Sequence, residues 1–206
     1  MSGAFPISSA KFSTLGIKSI QTTIISKSDS GKRLARQIDG QRWGFTASII
    51  TSTRSSVYGE LMAFIVKQRS GKETFTIIPP EIEDARGNET GTILVNGVHA
   101  VGDATIALDG FAGDGAGRFL AGDFISFNSH SKVYMIVSDV TSSSNAATVT
   151  IEPPLITALA NNGAVTYDNV PFTVYLTSDL QKFGANGADK DGNLLYNYEF
   201  DVEEAI

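Results

Sequence analysis

Residues 40–80 read GQRWGFTASIITSTRSSVYGELMAFIVKQRSGKETFTIIPP, and this stretch predicts a strand, a helix and a second strand in succession. Residues 42–49 alternate strictly between two kinds of side chain. One face carries the apolar residues Trp43, Phe45, Ala47 and Ile49. Since successive side chains of a strand point to opposite faces, this period of two predicts a strand with one face in the core.

A helix over about residues 53–70 is predicted next, after a start signal at Ser52 and Thr53. Its apolar residues recur at positions i, i+4, i+7 and i+8, which places them on one stripe: Val57, Leu61, Phe64 and Ile65. Gly71 is predicted to end the helix, because glycine is favoured just beyond a helix C-terminus. The helix is therefore amphipathic and covers a sheet with one side.

The second strand is predicted over residues 74–78, with Phe75 and Ile77 on one face. The following Pro79 and Pro80 prevent further ladder pairing, because proline has no backbone N–H to donate. We expect one packed cluster beneath the helix, formed by four aromatic residues: Trp43, Phe64, Phe75 and Phe172.

The composition is that of a globular, β-rich protein. The chain has 206 residues, of which 42% are hydrophobic and 18% charged, so it is able to bury a core. It contains no cysteine, which excludes disulfides, thiolate catalysis and cysteine-bound metals. Its net charge of −6 argues against tight nucleic-acid binding, which depends on clustered lysine and arginine. No segment has the length of a membrane span or the pattern of a secretion signal, so we expect a soluble protein.

A polar hairpin is predicted near the N-terminus, where residues 20–28 and 33–38 flank the turn Asp29-Ser30-Gly31-Lys32. Its basic residues are Lys27, Lys32, Arg33 and Arg36. They are interpreted either as the solvated edge of a sheet or as a projection that meets another subunit. Residues 1–19 have no clean period and are either a short first strand or an arm ordered by a neighbour.

After Pro80 the pattern changes, and we expect a second unit. Short strand candidates, separated by Asn-Gly, Asp-Gly and similar turns, cover residues 92–95, 104–108, 123–127, 132–140, 147–152 and 164–167. They predict a compact all-β unit, a small barrel. The strands after residue 170 look like partners of those before Pro80. Residues 83–168 are therefore predicted to be an inserted domain, and residues 1–82 with 169–206 a discontinuous first domain.

No set of residues predicts catalysis, a cofactor or a metal. His99 and His130 are the neutral-pH acid–base candidates, but each lies in a turn or polar loop without a nucleophile motif. The glycine-rich residues 110–117 lack the Lys-Ser/Thr pair of a phosphate loop. Residues 189–193 begin like a calcium loop, but the sixth position is leucine and the twelfth phenylalanine, so a turn is the better interpretation. We therefore expect a protein that is not an enzyme.

Several of these stretches carry a resemblance to a known family. They are GQRW at residues 40–43, the strand and helix that follow, and TFTIIPP at residues 74–80. Together they resemble the core of the distal tail proteins of long-tailed bacteriophages. The inserted part is similar to small β-domains carried by many phage virion proteins, at residues 95–97, 104–110, 120–123 and 151–155.

The resemblance implies a tail-tube-like split β-barrel with one helix, six copies of which close a homo-hexameric ring. Such a ring sits at the distal end of the tail tube, joins the tube protein to the baseplate hub protein and lets DNA pass. It is a structural component of the virion, made in the host cytoplasm. The resemblance carries over no catalytic residues.

The C-terminal strand offers a candidate lining for the channel of such a ring. Its candidate acidic residues are Glu199, Asp201, Glu203 and Glu204. They either form a solvated outer face or line the lumen, where like-charge repulsion would keep DNA from sticking.

Two other function classes remain open at this point. The first is a carbohydrate-binding or adhesin module that recognises a host surface glycan through the inserted domain. Its possible stacking residues are Phe111, Phe127, Tyr134 and Tyr167, for which packing in a core or at its rim is the favoured interpretation. The second is a hydrolase of unknown type.

Overall fold

The computed structural model describes residues 3–6, 11–38 and 40–206. These residues are mainly β, with one short α-helix, α1 (Gly59–Lys67). The strands are, in chain order, β1 (Phe12–Ile20), β2 (Thr23–Lys27), β3 (Arg33–Gln37), β4 (Arg42–Thr53), β5 (Phe75–Ile77), β6 (Leu94–Val95), β7 (Thr105–Asp109), β8 (Gly115–Ala116), β9 (Phe124–Phe127), β10 (Val133–Ile136), β11 (Thr141–Ser142), β12 (Ala146–Glu152), β13 (Val165–Thr166), β14 (Phe172–Leu176), β15 (Gly184–Ala188) and β16 (Leu194–Glu204). The prediction of a mainly β fold with one helix is confirmed.

Six strands form a nearly closed, barrel-like sheet in the order β1-β4-β16-β14-β5, with β15 also paired to β16. The long strands β4 and β16 are its centre, in an antiparallel register that pairs Thr53 with Leu195 and Gly44 with Glu203. The predicted alternation of β4 is confirmed, since Trp43, Phe45, Ala47 and Ile49 are all buried. One face of this sheet therefore forms the core.

The helix begins later than predicted, because β4 continues through Ser52 and Thr53. A π-helical turn, Arg54–Tyr58, leads from β4 into α1. The apolar residues on the side that faces the sheet are buried, namely Val57, Leu61 and Ile65.

Gly71 does not have the left-handed conformation expected of a residue that ends a helix. The positive φ angles lie instead at Arg69 (52°) and Ser70 (62°). Gly71 is needed for another reason: a Cβ atom there would lie 2.5 Å from the Leu176 carbonyl oxygen. Glycine thus allows the chain after the helix to approach β14 closely.

The core of the barrel-like sheet is rich in aromatic residues. Trp43, Phe75 and Phe172 are buried in one cluster, and Phe64 is partly buried and packs against it. The Phe64 and Phe75 rings meet edge to face, with their centroids 5.3 Å apart. Such pairs add to the stabilisation that burial provides.

Of the two structures that the sequence allowed for residues 1–19, the structure shows the first strand, and the described residues before it pair within their own chain. Residues 3–6 run beside β5, where Phe5 N–H donates to the Thr76 carbonyl at 2.7 Å and Thr76 N–H to that of Gly3 at 3.1 Å. Residues 12–20 are the strand β1, whose register with β4 shifts between Phe12 and Thr14. Residues 1–2 and 7–10 of the predicted arm lie outside the described residues.

A second sheet takes the order β13-β9-β10-β12-β7-β6, and β8 pairs with β11. Its buried side chains form a second apolar cluster that includes Ile106, Phe119 and Ile151. The chain leaves the barrel-like sheet after β5 and returns to it in β14, which pairs with both β5 and β16.

Hydrogen bonds join the segment that leads into the second sheet to the segment that leads out of it. Ala85 N–H donates to the Tyr167 carbonyl at 2.9 Å, and Val170 N–H to the Glu83 carbonyl at 2.9 Å. Asp84 reinforces the closure by accepting a hydrogen bond from Asn169 N–H at 2.8 Å. The polypeptide therefore enters and leaves the second sheet at one place.

Candidate functional site

The hairpin of β2 and β3 is a two-stranded sheet in which every strand residue is exposed. Its tip is shaped locally, since Gly31 N–H donates to the Ser28 carbonyl at 2.8 Å and Lys32 N–H to Ser28 Oγ at 3.2 Å. Gly31 supplies the positive φ angle, 78°, that this turn requires. An isolated strand pair is marginally stable in water. The hairpin therefore has the properties of an element that a partner covers.

The hairpin is both basic and apolar. Its large apolar side chains are each more than half exposed: Ile24, Ile25, Leu34 and Ile38. The predicted basic residues Lys27, Lys32, Arg33 and Arg36 take part in none of the ion pairs between described residues. Apolar and cationic groups thus lie side by side on one projection.

Fewer carboxylates of the acidic face of β16 are both exposed and unpaired than the sequence predicts. Glu199 and Asp201 are exposed and Glu203 is partly buried. Asp201 accepts hydrogen bonds from Lys18 Nζ at 2.6 Å and Thr46 Oγ1 at 2.5 Å, and these bonds lower its pKa. Glu203 accepts a hydrogen bond from the Tyr175 hydroxyl at 3.0 Å.

Glu204 was predicted to lie on this acidic face, and that prediction is wrong. The strand continues through Glu204, so its alternation places this side chain inward with Phe200 and Val202. The carboxylate is completely buried and forms an ion pair with Lys132, which is buried as well. Glu204 is therefore a core residue of the junction between the two sheets.

Backbone and side-chain donors complete this buried junction. Glu204 accepts hydrogen bonds from Trp43 N–H at 3.1 Å and Val133 N–H at 2.8 Å. Lys132 Nζ also donates to Gln41 Oε1 at 2.8 Å, and Trp43 Nε1–H donates to the Val133 carbonyl at 2.9 Å. Burial lowers the pKa of Lys132, while the attraction of Glu204 opposes that shift.

The four aromatic residues considered for glycan stacking are Phe111, Phe127, Tyr134 and Tyr167, and all are buried in the second cluster. Their rings pack against one another and against neighbours, such as Phe119 with Tyr167 at a centroid distance of 5.3 Å. A sugar-stacking surface needs exposed ring faces, so the prediction of stacking at these four residues is wrong.

The two histidines lie in different hydrogen-bond settings. His130 Nε2 is 2.7 Å from the Tyr134 hydroxyl, which also accepts a hydrogen bond from Ile156 N–H at 3.2 Å. Burial, and next the charge of Lys132, lower the pKa of His130, and burial raises the pKa of Tyr134 to about 12. His99 Nε2 accepts a hydrogen bond from Ala107 N–H at 3.2 Å. Both rings have the partners expected of structural histidines.

The predicted turn at residues 189–193 connects β15 to β16. Asp189 Oδ1 accepts hydrogen bonds from the N–H groups of Asp191 and Asn193, both at 2.9 Å. Within residues 3–6, 11–38 and 40–206, no group of three or more His, Asp or Glu side chains is placed to hold a metal ion. No helix in that part of the chain is long and apolar enough to cross a membrane.

Comparison with models of known protein families gives no match, and neither does comparison with curated proteins.

Proposed function

We propose that the protein is a structural subunit of a tailed bacteriophage, six copies of which form a ring at the distal end of the tail tube. The ring connects the tube protein to the baseplate hub protein and lets DNA pass. Its place is in the virion, after synthesis in the host cytoplasm, and its role is architectural rather than enzymatic.

The observation that carries the proposal is the fully exposed hairpin of β2 and β3. A strand pair with four exposed large apolar residues gains stability when a second surface covers it. A subunit that lends such a hairpin to its neighbour has one patch that meets a different patch, which is the contact from which rings are built.

The fold proposed for the ring subunit is a tail-tube-like split barrel formed by residues 1–82 and 169–206. Residues 83–168 are its inserted small β-barrel domain. The pairing of β4 with β16 and of β5 with β14 supports this division, because strands from both sides of residues 83–168 share one sheet.

Glu199 is the residue of the acidic face that best suits the lumen of the ring. It is exposed and takes part in no ion pair between described residues, whereas Asp201 is paired with Lys18. A carboxylate repeated around the axis repels the phosphates of passing DNA.

Native mass spectrometry of the purified protein at micromolar concentrations tests the proposal, together with electron microscopy of the same sample. We expect a species of six copies and closed rings. The matched control replaces residues 22–38 with a short Gly/Ser linker, which should leave a folded monomer because the removed strands are exposed. Monomer alone at every concentration, with no ring in the images, would contradict the proposed function.

A further inference from the structure

A groove of about 290 Å³ lies between β1 and the segment that follows β5. It is lined by Phe12, Ser13, Thr14, Leu15, Ile17, Pro80, Glu81 and Ile82. Strands β1 and β5 are the two ends of the barrel-like sheet's strand order, and among the described residues β1 pairs with β4 alone. The groove therefore lies near the open side of the barrel-like sheet, where residues 3–6 run along β5.

The groove combines an apolar floor with an acidic rim. Phe12, Leu15 and Ile82 are partly buried, and Ile17 is 42% exposed. Glu81 lines one side, and two more carboxylates follow it along the chain, at Glu83 and Asp84. None of the ion pairs between described residues includes any of these three carboxylates.

Glu83, two residues after Glu81, is partly buried. Its Oε2 atom is buried and has no hydrogen-bond partner within the described residues. A buried carboxylate oxygen without a donor is unfavourable, and native proteins rarely leave one so. Because this atom is enclosed by its own chain, the charge at the rim of the groove is that of Glu81.

The hairpin has the complementary chemistry. In its register Ile24 is opposite Arg36 and Ser26 is opposite Leu34, so these four side chains share one face. That face offers two exposed apolar side chains for the floor of the groove and an arginine for its rim. Lys27, Lys32 and Arg33 add positive charge at the tip.

The hairpin does not line the groove of its own chain. Two residues separate β1 from β2, and every residue of β2 and β3 is exposed. The groove and the hairpin are thus two different unpaired patches on one molecule.

We propose that the hairpin of one copy docks in the groove between β1 and residues 80–82 of a second copy. This inference rests on the proposed ring, for which it supplies the contact between subunits. Ile24 and Leu34 pack on the apolar floor, and Arg36, which shares their face of the hairpin, lies against Glu81 at the rim. Such charge complementarity fixes orientation and speeds encounter. The contact is heterologous, so it can repeat from copy to copy around a ring.

The absence of cysteine from the sequence allows a direct test by disulfide trapping. One preparation carries Ser26→Cys in the hairpin face, and the other carries Ser13→Cys in the groove. Both positions are exposed, and the change at residue 13 alters only the hydrogen bonds of its hydroxyl to Ser48, so we expect both variants to fold. Mixed and oxidised, the two preparations should yield a disulfide-linked dimer, whereas either one alone should not.

A control pair combines Ser26→Cys with Lys190→Cys, at the exposed turn between β15 and β16, and should not link. A second groove variant, Thr14→Cys, guards against a local defect at residue 13. Arg36→Glu introduced beside Ser26→Cys should reduce linking, and Glu81→Arg in the partner should restore it.

The outcomes separate this docking from the ring itself. Closed rings whose hairpin and groove cysteines do not link would overturn the docking and leave the ring standing. Linked dimers that extend into open chains without ring closure would support the docking and contradict the ring. Monomers without any linked product would contradict both.

Discussion

Lys132 and Glu204 form an ion pair in the interior of the protein, where both side chains are completely buried. Lys132 immediately precedes a strand of the second sheet, and Glu204 ends the central strand of the barrel-like sheet. The pair therefore joins the two sheets through charge as well as through packing.

Replacing Lys132 with methionine leaves the Glu204 carboxylate buried without a cation. We expect the free energy of unfolding to fall by about 3–5 kcal/mol, the range found when one partner of a buried pair is removed. The double variant Lys132→Met/Glu204→Gln should regain much of this loss, because no uncompensated charge remains. Urea denaturation of both variants measures these changes in the free energy of unfolding. A loss below about 1 kcal/mol for the single variant, as at an exposed pair, would contradict this role.

Trp43→Ala should strongly destabilise the protein and reduce its soluble expression. The side chain is buried, and its Nε1–H donates to the Val133 carbonyl. The centroids of its ring and the Phe124 ring are 5.1 Å apart. Truncation of a buried aromatic residue typically costs about 3–5 kcal/mol. Thermal melting is the measurement, with Trp43→Phe as the milder control that keeps a ring but loses the hydrogen bond. An unchanged melting temperature for Trp43→Ala would show that its burial contributes nothing.

His130 should make the protein less stable in mild acid. Its pKa is lower in the folded state than in the unfolded state, where it lies near 6.5, so below about pH 6.5 the unfolded chain binds the proton more readily. The stability that neutral His130 contributes above about pH 6.5 is therefore lost as the pH falls through the pKa of His130 in the folded state. Unfolding free energies at about pH 7.5 and pH 5.5 should differ less for His130→Gln than for the natural protein. An identical difference in both proteins would exclude this contribution.

A variant in which a short Gly/Ser linker replaces residues 83–168 should still fold and melt cooperatively. Its melting temperature should be lower, because Phe124 and Val133 belong to the core cluster of the barrel-like sheet and leave with the deleted part. Adding Glu204→Gln should recover part of the loss, since the carboxylate no longer meets Lys132. Circular dichroism follows both variants. Loss of a cooperative transition would mean that residues 83–168 are an integral part of one core.

Glu199→Lys should slow the ejection of DNA from assembled particles if this residue lines the lumen. A lysine attracts the phosphates that the carboxylate repels, and added salt should ease the defect, because the screening length at physiological salt is about 8 Å. Glu199→Gln is the control that removes the charge without reversing it. Normal assembly with unchanged ejection kinetics in both variants would remove Glu199 from the lumen.

Local periodicity was sufficient to predict the central elements of the fold. The alternation around Trp43 and the helical spacing of Val57, Leu61 and Ile65 are signals that neighbouring residues contain by themselves. Strand β15 has the sequence GANGA, without a β-branched or aromatic residue, and was not predicted. Its extended conformation comes from pairing with β16, and such tertiary influence does not appear in local propensity.

The buried ion pair was missed for a related reason. Continuing the alternation of Phe200 and Val202 by one step places Glu204 inward, but an inward carboxylate is acceptable only with a partner. That partner, Lys132, is 72 residues away in the sequence and looks there like any surface lysine. Tyr134 and Tyr167 were considered for a binding surface and are buried. The sequence did not separate the two positions, because an aromatic side chain has the same sequence pattern in a core and on a binding surface.

The hydrogen bonds that bring Glu83 and Asp84 beside Val170 and Asn169 have a consequence for the order of folding. The entropy lost in closing a loop rises with its length, and long-range strand pairs therefore form slowly. The strands of the second sheet are closer in sequence to one another than β5 is to β14. Once the second sheet has formed, the hydrogen bonds between residues 83–85 and residues 167–170 leave only a short connection between β5 and β14. We therefore expect the second sheet to form before β5 pairs with β14 and to shorten the loop that this pairing closes.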